Sequence, residues 1–357
     1  MTTSHTPRMG SLPQPLQVAQ PQTAPSRSVH VSVVVINLDG AHHLPRLLGA
    51  LREQTYGHFE LILVDNGSQD GSPELVETYC REHGLACTVM RNLCNRGFAP
   101  ACNQALQVAR GRWIALLNND AWPEPDWLEH LLRTGESGAD VGMVAAKLLF
   151  AHAPQRINSA GIAIDRACIA WDWRGGELDR RDETEPVEVF GACGGAALYS
   201  RHMLEEIGGF DEDFFAYLED VDLAWRARLA GWRCLLEPRA RVYHVHSATL
   251  GQASPLKHYL LGRNKIWLVV KNYPMPWLLR YLPLILAYDL LSALMSAVRL
   301  RHTAPIRGRI DGLRRLPHFL RKRRRIQGRW QNVANWYVWT QPVASPQAVL
   351  QRYNHLR

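Results

Sequence analysis

Apolar and polar residues in the first third of the chain predict strands and helices in alternation. The β-branched run Val31–Ile36 has the length of a strand and ends in a turn-like cluster, Asn37 to Gly40. Leucines then recur at helical spacing between Leu44 and Leu51. The same reasoning predicts three more strands and two more helices: strands at Glu60–Val64, Ala86–Met90 and Trp113–Leu117, and helices at Pro73–His83 and Ala99–Ala109.

This alternation predicts an α/β fold with a mostly parallel sheet and helices on both faces. Ligands bind such sheets at the carboxyl ends of the strands. Polar residues follow the four predicted strands at that end: Asn37 and Asp39, Asp65 to Ser68, Asn92 to Gly97, and Asn118 to Asp120. We expect them to meet at one rim, although Asp, Asn and Gly are also what ordinary turns use.

Length and composition fit one large or two small globular domains. The chain has 357 residues, 46% hydrophobic and 21% charged, so disorder can only be local. Its seven cysteines are odd in number and form no CxxC pair, which argues against a disulfide framework or a zinc site and favours a reducing cytoplasm. Residues 1–28 are rich in Pro, Gln, Ser and Thr and lack an apolar signal core, so we predict a disordered lead-in.

Neither a GxGxxG after the first strand nor a GxxxxGK[ST] is present, so the chain lacks the glycine-rich phosphate cradles of dinucleotide folds and P-loop ATPases. A metal held by an acidic loop is the usual substitute where phosphate is bound.

Six motifs occur in a recognisable order: VSVVVINLDG, LILVDNGSQDGS, NRGFAPACNQAL, LLNND, GGFDEDFFAYLEDVDLAWRARLAGW and VYHVHSAT. Over roughly Val31 to Asn272 the chain thereby resembles family 2 glycosyltransferases of the Rossmann-like GT-A fold, and within them the rhamnosyltransferase-like branch of bacterial cell-surface polysaccharide synthesis. The resemblance implies inverting transfer of a sugar, with L-rhamnose from dTDP-L-rhamnose as the best guess, to a hydroxyl of a lipid-linked saccharide. The alternative is a non-catalytic nucleotide-sugar or polysaccharide-binding module with a transferase-like fold.

The resemblance also implies roles for individual residues. It makes Asp220 the catalytic base, with Glu219 as a supporting acid, and gives a divalent cation, Mg²⁺ or Mn²⁺, to Asp120 and His244. Asn118-Asn119-Asp120 departs from the family's DxD pattern, and its single carboxylate implies weak binding that depends on the diphosphate. The candidate substrate-binding residues are Asn37, Asp65, Asn66, Arg96, Asn103, Asn119, Gly194 and Gly195.

Each of these assignments has a structural alternative. Asp65 could be the side chain of an Asx-turn, and Glu219 with Asp220 could simply favour a helix N-terminus. His244 or its neighbour His246 could be a polar residue satisfied within the core.

The last third of the chain is apolar and then basic. Trp277–Val298 is apolar but contains Arg280, Pro283 and Asp289, which favours an interfacial amphipathic hairpin over a transmembrane helix. Arg299–Arg329 holds twelve Arg and Lys and one Asp, a net +11 that leaves −3 for the rest of a chain whose net charge is +8. The densest part is Arg321 to Arg325.

Basic clusters beside apolar segments are typical of anionic-membrane binding, and the lack of an RNA-binding motif makes nucleic acid the weaker alternative. We therefore expect a cytoplasmic protein, peripherally associated with the inner face of the cell membrane. The predicted divisions are a lead-in (1–28), the GT-A domain (29–272), a membrane-associating helical region (273–330) and a tail (331–357). The sequence predicts no oligomeric state.

Overall fold

The structure is a computed structural model that describes residues 17–18, 29–245, 254–329 and 340–343. Most of the predicted lead-in, His246 and most of the predicted tail lie outside the described residues. Within the lead-in, Gln17–Val18 forms a two-residue strand.

The strands are β1 (Gln17–Val18), β2 (Val31–Asn37), β3 (Phe59–Asp65), β4 (Cys87–Arg91), β5 (Trp113–Leu117), β6 (Ala121–Pro123), β7 (Val141–Phe150), β8 (Ala153–Ser159), β9 (Ile162–Ile164), β10 (Ala170–Asp172), β11 (Val187–Val189), β12 (Ala196–Ser200) and β13 (Arg233–His244). The helices are α1 (Leu44–Arg52), α2 (Ser72–His83), α3 (Phe98–Val108), α4 (Trp127–Gly135), α5 (Arg201–Ile207), α6 (Glu219–Ala230), α7 (Pro255–Asn272), α8 (Met275–Leu300), α9 (Ala304–Arg314) and α10 (Leu316–Arg329), with a 3-10 turn at Glu212–Phe214. Each strand and helix predicted in the first third is present, with ends displaced by at most one residue.

One sheet runs through the molecule in the order β1-β4-β3-β2-β5-β12-β7-β13-β11. The predicted parallel sheet is confirmed for β4, β3, β2 and β5, and β7 is also parallel to β13. Strand β12 is antiparallel to both β5 and β7 and so joins the two parallel parts into a mixed sheet. As a result, the carboxyl ends of β2, β3 and β5 lie beside the start of β12.

Helices cover both faces, as predicted. Val33 and Val35 of β2 point into one buried cluster with α1, α2 and α4, whereas Val34 points into the other with α3, α5 and α6. A strand buried on both sides reads as a continuous apolar run, which is why Val31–Ile36 shows no polar alternation.

The carboxy-terminal helices pack on the face that carries α6. Trp267 of α7 stacks on Phe319 of α10, with ring centroids 4.4 Å apart. The predicted hairpin at Trp277–Val298 is wrong, because this segment lies within one continuous helix, α8, that accommodates Pro283. Asp289 faces inward, where it accepts two hydrogen bonds from Arg309, at 2.7 and 2.9 Å. By length and composition alone, Met275–Val298 could cross a membrane.

The outer side of α8 is apolar and exposed. Leu279, Leu290 and Val298 are 67%, 63% and 79% exposed, while Ile285 and Ala293 on the inner side are buried. Such a contiguous exposed apolar stripe is typical of an interaction surface rather than of ordinary protein surface.

Candidate active site

The carboxyl ends of the parallel strands meet in a network of amide and carboxylate groups. Asn37 Nδ2 at the end of β2 donates to Asp65 Oδ1 at the end of β3, at 2.9 Å. Asn119 Nδ2, just after β5, donates to Asn37 Oδ1 at 2.9 Å. All three residues are buried. The structure thus brings these three candidates together at one rim, although their contact with a nucleotide stays a prediction.

Asp65 also organises its own loop. Its Oδ2 accepts hydrogen bonds from the backbone N–H groups of Gly67 and Ser68, at 3.2 and 3.0 Å. These two hydrogen bonds form the Asx-turn that the sequence offered as an alternative to nucleotide binding. The same side chain also contacts Asn37, so the Asx-turn does not remove Asp65 from the rim. Asn66 is turned inward, where it donates to the carbonyl of Gly97 and accepts from Asn92.

Two other candidates lie on the segment around α3. Arg96 is exposed in the loop that leads into the helix. Asn103 donates to the carbonyl of Phe210 at 2.8 Å and accepts from its N–H at 2.9 Å, so it holds the chain that leads to α6. The roles of both residues toward a base or ribose stay predictions.

Asp120 and His244 form the candidate metal centre. His244, at the end of β13, places Nε2 3.2 Å from Asp120 Oδ1, and both side chains are buried. His244 Nδ1 lies 2.8 Å from Asn158 Oδ1, an oxygen that can only accept, so Nδ1 carries a proton and Nε2 faces Asp120. Burial raises the pKa of Asp120, but the hydrogen bond and charge of His244 outweigh it and leave this pKa lowered.

The donor set fits a divalent cation only in part. A carboxylate oxygen and an imidazole nitrogen that face each other are suitable ligands, and the hydrogen bond to Asn158 is the kind that orients a metal-binding histidine. Within the described residues no third His, Cys, Asp or Glu joins this pair. A cation here would need further ligands from a bound molecule, as the single carboxylate of the NND loop implies.

Glu219 and Asp220 begin α6 directly after a loop with unusual backbone angles. Asp220 Oδ1 accepts from the N–H of Val221 at 2.8 Å, and its Oδ2 accepts from the N–H of Gly194 at 3.1 Å. Glu219 is buried, and its Oε2 has no hydrogen-bond partner in the described part of the chain.

The surroundings give the two carboxyl groups different pKa values. Burial, with some help from the charge of Asp172, raises the pKa of Asp220 to about 6, even though two backbone N–H groups favour its charged form. Burial next to Asp220 raises the pKa of Glu219 well above its usual range. Asp220 is therefore mostly ionised at neutral pH, whereas the raised pKa of Glu219 favours its protonated form, and paired carboxyl groups with different pKa values are a common arrangement for acid–base chemistry.

Gly194 and Gly195 connect Asp220 to the NND loop. Gly194 donates its N–H to Asp220, and the carbonyl of Gly195 accepts from the N–H of Asn118 at 2.9 Å. A Cβ atom at Gly195 would lie 3.1 Å from Leu148 Cδ2, so a side chain would crowd this junction. Consecutive residues thus bridge the two candidate centres.

Sequence reasoning missed three residues of this region. Asn158 and Asp172 come from the strands β8 and β10, which carry no motif. Asn264 of α7, which holds the loop before Glu219, stands between the apolar residues Leu260 and Trp267. For Asn264, the polar side chain within an apolar helical stripe was the one signal in the sequence that could have indicated a specific role.

Comparison with known proteins identifies the family and the fold of this domain. The model of the family described as Glycosyl transferase family 2 matches residues 32–208. The chain carries a family 2 glycosyltransferase domain. A crystal structure of GalNAc-T7 with UDP, GalNAc and Mn²⁺ is similar at a TM-score of 0.57 and 19% identity, over 68% of this chain and 47% of the other. At that identity the likeness shows the fold, and the GT-A prediction is confirmed.

Relatives of this family 2 domain include a protein named as an L-rhamnosyltransferase and one named for O-antigen biosynthesis. The chain is 26% identical over 281 residues to the N-acetylglucosaminyl-diphospho-decaprenol L-rhamnosyltransferase of Mycobacterium tuberculosis, covering 70% of this chain and 88% of the relative. It is 30% identical over 265 residues to the O-antigen biosynthesis protein RfbC of Myxococcus xanthus, covering 70% of this chain and 19% of that protein. The chain spans about a third or less of the length of several curated relatives that it matches.

Proposed function

We propose that this protein is an inverting glycosyltransferase that moves a sugar from a nucleotide diphosphate to a hydroxyl of a lipid-linked saccharide. The observation that carries the proposal is Asp220, a buried carboxylate whose pKa of about 6 makes it basic enough to accept a proton and still ionised at neutral pH. It lies at the start of α6 and contacts the glycine pair that leads to the NND loop.

In this reaction Asp220 takes the proton of the acceptor hydroxyl. The acceptor oxygen forms a bond to the anomeric carbon while the bond from that carbon to the nucleotide diphosphate breaks on the opposite side, so the configuration inverts. One displacement needs one base, and Glu219, in the protonated form that its raised pKa favours, donates a hydrogen bond to an acceptor oxygen. Asn37, Asp65 and Asn119 are proposed to bind the donor nucleotide.

Asp120 and His244 are proposed to hold a divalent cation together with the donor. When bound, the cation would offset the negative charge that grows on the departing diphosphate. The geometry supports this assignment, because Asp120 Oδ1 and His244 Nε2 lie 3.2 Å apart and face each other.

L-Rhamnose from dTDP-L-rhamnose is the proposed donor sugar. Support comes from the relative named as an L-rhamnosyltransferase, which aligns over most of its own length. The same name describes an acceptor on a diphospho-decaprenol lipid, which supports a lipid-linked saccharide as the acceptor here.

The membrane is proposed to meet the protein at α8 and the helices beside it, on the cytoplasmic side. The apolar outer stripe of α8 supports this location, and so do exposed arginines on α9, α10 and the turns before them: Arg301, Arg307, Arg314, Arg315, Arg321, Arg324 and Arg325. Apolar area plus anionic attraction is how peripheral helices bind lipid.

A panel of nucleotide sugars tests the proposal, with purified protein and a membrane lipid extract. We expect nucleotide release and sugar transfer from dTDP-L-rhamnose, and Asp220→Asn should lower turnover by about 10²-fold or more. Donor binding without transfer or nucleotide release for any sugar would instead support the non-catalytic binding module.

A further inference from the structure

The loop just before Glu219 is held in a conformation that its residues do not favour. Phe215, Tyr217 and Leu218 have φ values of 66°, 68° and 66°, in the left-handed region that non-glycine residues rarely adopt. Each such residue costs on the order of 1–3 kcal/mol, so the loop persists only if its surroundings fix it. This catalytic loop, residues 213–218, sets where Glu219 and Asp220 enter α6.

The loop carbonyls are bound from outside the loop by α7. Asn264 Nδ2 donates to the carbonyls of Phe214, Ala216 and Tyr217, at 3.0, 2.9 and 2.7 Å. The preceding residue, Arg263, donates to the carbonyls of Asp213 and Phe214, at 3.1 and 2.9 Å.

Arg263 and Asn264 also fix each other. Arg263 Nε donates to Asn264 Oδ1 at 2.9 Å, which aims the Asn264 amide group at the loop. The Asn264 side chain is fully buried, so water cannot replace its hydrogen bonds.

The opposite side of the loop packs against the first residues of α3. The carbonyl of Phe215 accepts from the N–H of Ala99 at 3.1 Å. Gly97 has φ 95°, and a Cβ atom there would lie 2.5 Å from the Phe215 ring. The Leu218 carbonyl accepts from the backbone N–H of Asp222. Every carbonyl from Asp213 to Leu218 therefore accepts a hydrogen bond. Of these anchors, Asn264 is the only side chain that reaches three carbonyls.

We propose that Asn264 is a positioning residue for the transfer reaction, because its amide clamps three carbonyls of the catalytic loop and thereby holds Asp220 in place. This inference rests on the proposed role of Asp220 as the base. Asn264 itself does not contact the substrate in this proposal, because its amide N–H groups are already hydrogen-bonded to the loop carbonyls.

Two substitutions test the inference. Asn264→Leu keeps the approximate volume without the donor, and Asn264→Asp keeps the shape but turns carboxylate oxygens toward three carbonyls. Both should lower kcat by about 10–100-fold, because a misplacement of about 1 Å can cost about 10²-fold. The KM for the donor should stay within about twofold, because the proposed nucleotide-binding residues Asn37 and Asp65 lie at the ends of β2 and β3 and share no hydrogen bond with Asn264.

A pH profile and hydrogen exchange separate positioning from general instability. A loosened loop admits water to Asp220, so the acidic limb of the rate profile should move to lower pH in Asn264→Leu, which adds no charge beside Asp220. Amide exchange over residues 213–218 should become at least about tenfold faster, while β2 and β3 stay protected. Thr134→Val is the matched control, because it removes a buried hydrogen bond to Glu237 on the other face of the sheet and should change neither readout.

The outcomes distinguish the two levels of the argument. If Asp220→Asn is inactive while Asn264→Leu keeps full kcat and slow exchange in the loop, the clamp is wrong and the base assignment stands. If Asp220→Asn keeps turnover, the base assignment is wrong, and exchange in the loop still decides whether Asn264 holds it. An Asn264→Asp variant with normal kcat would overturn the clamp, since shape alone would then suffice.

Discussion

The pH dependence of transfer is the sharpest test of the acid–base assignment. Burial raises the pKa of Asp220 to about 6, so this group changes charge around that pH. An ordinary aspartate, with a pKa near 3.9, would be almost fully ionised from pH 5 upward. The rate of a reaction that needs the ionised base should therefore report which environment Asp220 has.

The expected size follows from the ionised fraction. A base with a pKa of about 6 is about 97% ionised at pH 7.5 and about 9% ionised at pH 5, so kcat/KM should fall about tenfold between them. For an unperturbed aspartate the same interval would change the rate by less than about 10%. The assay is initial-rate nucleotide release at saturating cation, with folding checked by circular dichroism at each pH.

Two carboxyl variants make the assignment specific. In Asp220→Asn the residual rate should lose its acidic limb. In Glu219→Gln the limb should stay near pH 6, because glutamine has the shape and the neutral charge of the protonated form that the raised pKa of Glu219 favours. A rate that is flat between pH 5 and 7.5, or a limb that survives in Asp220→Asn, would refute the reasoning.

The same shift has a consequence for stability. An acid whose pKa is raised on folding makes the folded state less stable as the pH rises, so this cost builds up between about pH 4 and pH 6 and is present in full above about pH 6. The difference from an ordinary aspartate corresponds to at most about 3 kcal/mol. Asp220→Asn removes this cost but keeps only one acceptor oxygen for the two backbone N–H groups, which offsets part of the gain. The net effect at pH 7.5 should be a free energy of unfolding about 1–2 kcal/mol higher. Urea denaturation of both proteins measures it, and a less stable variant would contradict the shift.

Three other predictions concern the cation, the membrane and the charges behind the catalytic loop. A chelator should lower activity, and added Mn²⁺ or Mg²⁺ should restore the original protein but not Asp120→Ala; full activity in chelator would mean a metal-independent site. Changing Arg321, Arg324 and Arg325 to Gln should weaken binding to anionic vesicles, most clearly at low salt, and spare transfer to a soluble acceptor, whereas loss of RNA binding with normal lipid binding would favour nucleic acid. Lys322→Gln is the contrasting variant, because Lys322 Nζ lies 2.5 Å from Asp211, shortly before the loop, and 2.6 Å from Asp213, the first residue of the loop. This variant should therefore lower turnover on a soluble acceptor. Lys271→Met should lower the free energy of unfolding by about 3 kcal/mol or more, since Asp211 and Asp222 would be left buried without their shared cation; a loss below about 1 kcal/mol in urea denaturation would contradict this.

The sequence by itself determined the first half of the sheet and the place of the nucleotide-side candidates. Runs such as Val31–Ile36 and Trp113–Leu117 are local signals, because hydrophobic periodicity depends only on neighbouring residues. Once those strands are parallel, Asn37, Asp65 and Asn119 must share one rim.

The order of strands in the second half was decided by tertiary structure. Nothing local specifies that β12 lies antiparallel between β5 and β7, and it is this placement that lets Gly194 reach Asp220 and Gly195 reach the NND loop. Asn158 likewise reaches His244 across 86 positions of sequence.

The basic segment shows the same division within a few residues. Composition predicts one positive surface at Arg321 to Arg325, yet Arg323 is buried and donates to the carbonyls of Val270 and Tyr273, while Lys322 is bound to Asp211 and Asp213. Helical geometry turns consecutive side chains about 100° apart, so a run of like charges cannot all face one solvent or membrane surface. Which of them face inward depends on where carbonyls and carboxylates of distant segments come to lie, and that information exists only in the folded chain.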